Sequence, residues 1–145
     1  MSVAATVTAL QTLHATVAGI KSAPTQMPSS LNTAELPMAL VWPGEATWQL
    51  AAMGLKRQER VYIVRVFARP VAQDIPGPDA GYDDCVALLE AFGQAYQSNL
   101  TLAGAVDNIS AVRDSGISGG AMELLWGNIS YWGFVYRVTV VEKTS

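Results

Sequence analysis

The segment RVYIVRVFARP, residues 60–70, is the clearest β-strand of the chain and sets the expectation for its fold. Its side chains alternate between an apolar set and a mixed set, as in a strand whose two faces meet different surroundings. The apolar face consists of Val64, Val66 and Ala68. The mixed face consists of Ile63, Arg65, Phe67 and Arg69. This contrast favours an antiparallel sheet with one side less buried, and Pro70 ends the strand.

The residues before this strand predict two shorter strands. LPMALVWPG (36–44) reads as a strand closed by the Pro-Gly pair at its end, and ATWQLAAM (46–53) reads as a second one. The second strand carries Ala46, Trp48 and Leu50 on one face. Gly54 and the charged cluster 56–60 suit a hairpin turn into the 60–70 strand.

Two helices are predicted from apolar residues that recur every three or four positions. The first begins near Ser2, ends at Gly19 and carries a stripe of Val3, Val7, Leu10, His14 and Val17. The second carries a stripe of Cys85, Leu89, Phe92 and Tyr96. Its positive end lies close to three carboxylates, which the helix dipole favours there: Asp79, Asp83 and Asp84.

The last third of the chain predicts three strands, at about 106–113, 121–126 and 130–142. RDSGISGG (113–120) is expected to turn the first pair, and Gly127-Asn128 the second. The complete order is α-βββ-α-βββ. Hairpin strands separated by single helices predict one α+β domain over residues 1–145, with two helices packed on a mainly antiparallel sheet.

The composition points to surfaces covered by other protein chains. Apolar residues make up 50% of the sequence and charged residues only 14%, against about 25% in an ordinary soluble domain. A surface rich in Ser, Thr, Gln and Ala would be the alternative explanation. We expect an obligate oligomer.

Charge and cysteine content argue against several classes of protein. The net charge is −3 and no Lys/Arg run exceeds Lys56-Arg57, so the basic footprint of a nucleic-acid-binding protein is missing. The single cysteine excludes an internal disulfide. The apolar N-terminal stretch has no positive charge before Lys21 and is interrupted by polar residues, which predicts neither a signal peptide nor a membrane span.

Reactive residues do not form a recognisable catalytic set. GISGG (116–120) matches the nucleophile-elbow pattern and would make Ser118 the nucleophile, but no histidine follows it, so turn glycines are expected. The single histidine, His14, lies on a helix stripe and is expected to be partly buried and hydrogen-bonded. Cys85 is expected to be a buried structural thiol. Asp83 and Asp84 are expected to be helix-start carboxylates, because adjacent helical residues point in different directions. We therefore expect no enzyme activity, metal or cofactor.

Surface chemistry remains as the source of function. All four tryptophans, Trp42, Trp48, Trp126 and Trp132, lie on or beside predicted strands, and tryptophan is favoured at protein contacts. Arg65 and Arg69 on the mixed face of the 60–70 strand are suited to pair with carboxylates of a partner.

The layout of the chain resembles that of the tail-terminator, or tail-completion, proteins of long-tailed bacteriophages. The resemblance covers most of residues 1–143 and lies in short patches: LP at 36–37, PG at 43–44, DSG at 114–116 and YRVTVVE at 136–142.

The resemblance implies an α+β subunit that assembles into a ring, typically of six. Such a ring caps the tail tube, stops its polymerisation and offers a docking surface to the head connector. The implied partners are other copies of the chain, the tail tube protein and the head-tail connector or stopper protein. The implied location is the neck of the virion after synthesis in the bacterial cytoplasm.

Six residues are the candidate interface residues of this ring: Trp42, Trp48, Arg65, Arg69, Trp132 and Arg137. The last strand is expected to pack one face on the helix layer, with Trp132, Phe134, Tyr136, Val138 and Val140. Its other face is expected to contact a neighbouring subunit, with Val135, Arg137, Thr139 and Val141. The alternative is a strand that is ordinary core on both faces.

Two alternatives remain open from the sequence. The first is another neck, head-completion or minor tail protein. The second, from a different class, is a small ligand-binding domain or hydrolase that uses Ser118 or His14.

Overall fold

The computed structural model describes residues 3–50, 56–71, 79–118 and 124–144, which form two α-helices, a short 3-10 helix and five β-strands. The helices are α1 (Val3–Ala15) and α2 (Asp79–Ser98), and the 3-10 helix spans Thr33–Glu35. The strands are β1 (Met38–Leu50), β2 (Lys56–Pro70), β3 (Asn108–Ser118), β4 (Leu124–Trp126) and β5 (Ile129–Thr144). The predicted α+β class, with two helices on a mainly antiparallel sheet, is confirmed.

All named strand pairs of the sheet are antiparallel, and β5 is its central element. The order is β1-β2-β5-β3, and β4 also pairs with β5. Because β2 occupies one edge of β5 over nearly its whole length, β3 and β4 lie end to end along the other edge. The segment 60–70 that suggested the fold belongs to β2, which lies between β1 and β5.

Both helices pack on one face of the sheet and enclose the main core. The sheet contributes a set of alternating buried residues, which includes Val64, Val66, Ala68, Phe134, Tyr136, Val138 and Val140. Leu10 of α1 and Phe92 of α2 are completely buried against them. The helix-facing side predicted for the last strand is thus confirmed, and the apolar face of the 60–70 strand packs in the same core.

A smaller cluster covers part of the second face of the sheet. Its buried members are Leu36, Met38, Leu40, Phe67 and Tyr131. Partly buried residues of β1, β4 and the segment before the 3-10 helix pack against it, namely Leu31, Trp42, Leu124 and Trp126. Beyond this cluster, most described residues of that face are exposed or half-buried. Val141, which was expected to contact a neighbouring subunit, is instead buried within its own.

In the described residues, the two strands expected over 36–53 form one strand, Met38–Leu50, so five strands are described where six were predicted. Residues 51–53 of the second expected strand lie outside the described residues. Pro43-Gly44 does not end β1 but produces a bulge, seen as a register shift between Pro43 and Ala46. Proline is tolerated here because β1 is an edge strand. Arg60 Nη1 donates to the Gly44 carbonyl at 2.8 Å and holds the bulge. The cluster 56–60 lies within β2 rather than in a turn, and Gly54 lies outside the described residues.

The turn expected at residues 113–120 is wrong for its described part, because β3 runs through to Ser118. The turn-forming residues make a bulge between Asp114 and Ile117 instead. Gly116 adopts a φ of 75°, which glycine tolerates, and its N–H donates to Asp114 Oδ1 at 3.1 Å. Ser115 Oγ accepts a hydrogen bond from the Val135 N–H at 3.1 Å, so the bulge stays attached to β5. The predicted turn at Gly127-Asn128 is confirmed and joins β4 to β5.

The buried stripe of α1 differs from the predicted one because polar residues are buried in it. Leu10, His14 and Val17 are buried as predicted, but Val3 and Val7 are only partly buried, while Thr6 and Gln11 are fully buried. Hydrogen bonds offset the free-energy cost of burying the polar side chains of Thr6 and Gln11. The Thr6 hydroxyl donates to the buried carboxylate of Glu142.

The stripe of α2 is close to the prediction. Cys85, Phe92 and Tyr96 are buried, and Leu88 takes the fully buried position expected for Leu89, which is half-buried.

Candidate functional site: the open face of the sheet

The second face of the sheet is solvent-accessible beyond the smaller cluster, and four strands line it. We call this surface the open face; it consists of Trp42, Val61, Ile63, Arg65, Arg113, Val135, Arg137 and Thr139. Each of these side chains is exposed or half-buried, and within the described part of the chain both α-helices pack on the opposite side. The open face is therefore mainly apolar and carries three positive charges, those of Arg65, Arg113 and Arg137.

The strand register assembles four of these residues into a row across the sheet. Trp42 is opposite Ile63, Ile63 is opposite Arg137, and Arg137 is opposite Arg113. Arg65 lies diagonal to Trp42 on the same face, and its guanidinium carbon is 4.9 Å from the centroid of the tryptophan ring. This is cation–π geometry, which holds the arginine side chain flat on the surface.

The arginines of the open face repel one another. Arg113 and Arg137 are directly opposite on neighbouring strands, and like charges in that position destabilise a sheet. None of the three arginines forms an ion pair with a described residue. Glu59 lies on the same face of β2 but four residues along the strand from Ile63. A protein with a net charge of −3 thus concentrates positive charge on one surface.

Three of the six predicted interface residues meet on the open face. Trp42, Arg65 and Arg137 come from three successive strands of the sheet and lie within two adjacent rows.

The other three residues lie elsewhere. A register shift between Phe67 and Arg69 moves the Arg69 side chain to the helix side, where its Nη2 lies 3.1 Å from Asp84 Oδ2. Trp132 is opposite Arg69 and packs, partly buried, against the main core. Trp48 is 58% exposed but is opposite Gln58, so it points away from the open face.

Sequence reasoning missed Arg113. Its segment carries the Asp, Ser and Gly residues of a turn, and these same residues support a bulge within a strand. Arg113 ended the predicted strand 106–113, whose expected partner was the 121–126 strand, whereas in the structure it pairs with Arg137 of the last strand.

His14 is sealed inside the protein by hydrogen bonds on both ring nitrogens. Its Nδ1 lies 2.8 Å from Gln11 Oε1, and its Nε2 lies 2.6 Å from the Tyr96 hydroxyl. The Gln11 amide nitrogen donates to the carbonyls of Pro24 and Ala39, at 2.6 and 2.9 Å. The network therefore ties α1 to α2, to β1 and to the segment between α1 and β1.

The partners of His14 determine its tautomer. Gln11 Oε1 can only accept, so Nδ1 carries the proton and donates to it. Nε2 is then the acceptor for the Tyr96 hydroxyl. Burial raises the pKa of Tyr96 well above its usual range, which keeps this donor protonated. Burial lowers the pKa of His14 to about 3, so the ring is neutral at physiological pH and serves packing.

The remaining reactive candidates show structural roles. Cys85 is fully buried in the main core, as predicted. Asp84 pairs with Arg69, while Asp83 is exposed, so the two carboxylates do not converge. The Ser118 backbone lies in β3 opposite Gly133, in a strand rather than at a strand-to-helix elbow.

Neither a metal-binding cluster nor a membrane-spanning helix occurs in the part of the chain that the structure describes. The described residues contain no group of three or more His, Cys, Asp or Glu side chains arranged to hold a metal ion. They also contain no helix with the length and hydropathy needed to cross a membrane.

A groove of about 530 Å³ runs between α2 and β3, on the helix side of the sheet. Leu89, Gly93, Leu100, Val112 and Tyr136 are among the residues that line it. The groove is widely open, and its acidic groups, Glu90 and Asp114, give it the opposite charge to the open face.

Comparison with known proteins gives no family for this chain. No model of a known protein family matches the sequence, and a search of curated proteins returns no significant match.

Proposed function

We propose that this protein is a ring-forming tail terminator of a long-tailed bacteriophage, which caps the tail tube, stops its polymerisation and presents a docking surface to the head connector. The observation that carries the proposal is the open face. It is a wide sheet surface with apolar side chains and three arginines that repel one another. The free energy of such a surface falls when a protein of complementary charge covers it.

The composition supports the same conclusion. A chain with 14% charged residues has few charges to distribute over its surface, and three of them are the arginines of the open face. Subunits of a closed ring cover part of their surface with neighbouring subunits, so they need fewer charges for solubility.

The interior favours an assembly protein over a small hydrolase. His14, the one histidine of the sequence, is completely buried, and both of its nitrogens are used in hydrogen bonds that join structural elements. A general base must reach a substrate proton, and this ring has no free nitrogen to offer.

The proposal is tested by adding the purified protein to polymerising tail tube protein. We expect the tubes to stop growing, with a ring of extra density at one end in electron micrographs. Tubes of unchanged length with bare ends would contradict the proposal. Binding to a purified connector without binding to tubes would instead indicate another neck protein.

A further inference from the structure

A second surface of the protein also combines apolar and charged side chains, but its charge is opposite to that of the open face. The outward side of α2 carries Tyr82 and Val86, which are 54% and 41% exposed although they are large and apolar. Asp83 and Glu90 are exposed beside them. At 100° per residue these four side chains fall within about a third of the helix circumference. We call them the α2 ridge.

The acidic groups of the α2 ridge are free of ion pairs with the described residues of the subunit. Asp84, next to the ridge, pairs with Arg69, whereas Asp83 and Glu90 form no ion pair with a described residue. The ridge thus combines two exposed apolar side chains with two unpaired carboxylates.

The dimensions of the two surfaces match. Asp83 and Glu90 are seven residues apart, which is about 10 Å along a helix. Arg65 and Arg113 are separated by two strand spacings and a two-residue offset, which is about 12 Å, and Arg137 lies between them. A helix laid across the open face can therefore place both carboxylates near arginines.

We propose that the open face of one subunit binds the α2 ridge of the next copy of the same chain. Asp83 and Glu90 of one copy then neutralise Arg65, Arg113 and Arg137 of the other, while Tyr82 and Val86 pack against Trp42, Ile63 and Val135. The neighbour's helix supplies a second layer on the side of the sheet where the described residues of the subunit place no helix.

This contact is head-to-tail, because the two surfaces are different and lie on opposite sides of one subunit. A head-to-tail contact leaves one surface of each kind free at the ends, so repetition gives a ring if the rotation closes. The inference rests on the proposed function and names the two surfaces that build its ring. It requires that the surfaces associate in solution without the tail tube.

Charge reversal on either surface tests the contact by sedimentation velocity. The double variant Arg65→Glu/Arg137→Glu leaves Arg113 as the one arginine of the open face and makes the three positions net negative, so this face repels the acidic ridge. The double variant Asp83→Lys/Glu90→Lys sets basic residues against the arginines. We expect each variant to be a folded monomer, with self-association weakened more than ~10-fold. Lys21→Glu is the matched control, because Lys21 is exposed and belongs to neither surface, and it should assemble as the wild type does.

Mixing the two charge-reversed proteins provides the decisive measurement. In a mixture, each reversed surface meets a partner of opposite charge, so oligomers should return and contain both proteins in equal amounts. Circular dichroism of each variant checks that the monomers are folded. If Arg65→Glu/Arg137→Glu does not fold, Arg113→Glu/Arg137→Glu is the replacement, since Arg113 is also exposed on the open face.

Two results would overturn the inference. Charge-reversed proteins that assemble alone like the wild type would show that the ring uses other surfaces, and the proposed tail-terminator function would then survive. A mixture that stays monomeric would show that the two surfaces do not recognise each other. If the wild-type protein does not stop tube growth, the proposed function is contradicted. The pairing of the two surfaces is then decided by the mixing experiment alone.

Discussion

Gly133 occupies a position in β5 where two neighbouring strands leave no space for a side chain. A Cβ there would lie 2.1 Å from the Val66 carbonyl oxygen and 2.7 Å from Leu124 Cδ1. The backbone oxygen cannot move aside without breaking the pairing of β2 with β5. We expect Gly133→Ala to destabilise the fold by about 3 kcal/mol in urea denaturation.

Gly93 in α2 is the matched control for this substitution. A Cβ at this position would meet only the Tyr136 hydroxyl, at 4.0 Å. Alanine is a better helix former than glycine, so Gly93→Ala is expected to stabilise the protein by about 0.5–1 kcal/mol. A Gly133→Ala protein as stable as the wild type would show that β2 and β5 are further apart here.

The buried His14 should make stability depend on pH. Its pKa is lowered to about 3 in the folded protein, against about 6.5 in the unfolded chain. The unfolded state therefore gains a proton as the pH falls below 6.5 and the folded state does not, so the free energy of unfolding decreases toward acid. From pH 7.5 to 5.5 we expect a loss of about 1.4 kcal/mol.

Between pH 7.5 and 5.5 the side chain expected to change the stability of the protein is that of His14. His14 is the single histidine, and unfolded carboxylates titrate near pH 4, below this window. The control is His14→Asn, which should be less stable overall but should lack the loss between pH 7.5 and 5.5. A wild-type protein with constant stability across this range would contradict the burial of a neutral ring.

At this scale, the sequence indicated which residues are buried better than it indicated their partners. The stripe of α1 placed His14 in the interior, because periodicity reports a helix face. Its bond to Tyr96 joins residues 82 positions apart, and no local pattern carries that information. Thr6 and Gln11 were missed because polar residues count as surface until their hydrogen-bond partners are known.

At the scale of the elements, two tyrosine hydroxyls donate hydrogen bonds to acceptors on the helices. The two hydrogen bonds differ in how deeply they are buried. The Tyr96 hydroxyl donates to His14 Nε2 in a fully buried site, whereas the Tyr136 hydroxyl donates to the Leu89 carbonyl at 2.8 Å in a half-buried one. Tyr96→Phe leaves a buried acceptor without a donor, so we expect a cost of about 1–2 kcal/mol. Tyr136→Phe should cost about 0.5 kcal/mol, because the Leu89 carbonyl keeps its helical hydrogen bond.

Urea denaturation of the two Tyr→Phe proteins tests this ranking. The substitutions are chemically identical, so their difference reports the surroundings of each hydroxyl. A larger loss for Tyr136→Phe would mean that the His14 network contributes little to the attachment of α1.

The elements themselves were largely predictable, and the errors in strand boundaries lie at bulges. The helices and the central strands follow from periods of 3.6 and 2 in their apolar residues. Pro43-Gly44 and Asp114 to Gly116 carry turn chemistry, yet both segments stay in the sheet as bulges. Turn residues permit either outcome, and the choice depends on the neighbouring strand. The register shift between Phe67 and Arg69 involves no turn residue, and it moved Arg69 away from the face that alternation assigned to it.

At the level of the whole molecule, the candidate site is a surface rather than a pocket. Strand alternation predicted its central residues, Arg65 and Arg137, because each lies on an intact stretch of strand. Its full extent depends on which side the helices cover and on the pairing of β3 with β5, neither of which a single strand reveals. The sequence therefore predicted a mixed face but not the row of arginines that crosses it.

The open face and the α2 ridge lead to one central claim, that the protein functions as a closed ring of its own copies. The measurement that tests it most directly is the solution mass of the wild-type protein, by light scattering over a range of concentrations in moderate salt. We expect a closed species of about six times the 15.4 kDa chain mass, constant once formed. A protein that remains a 15.4 kDa monomer at every concentration would contradict the claim.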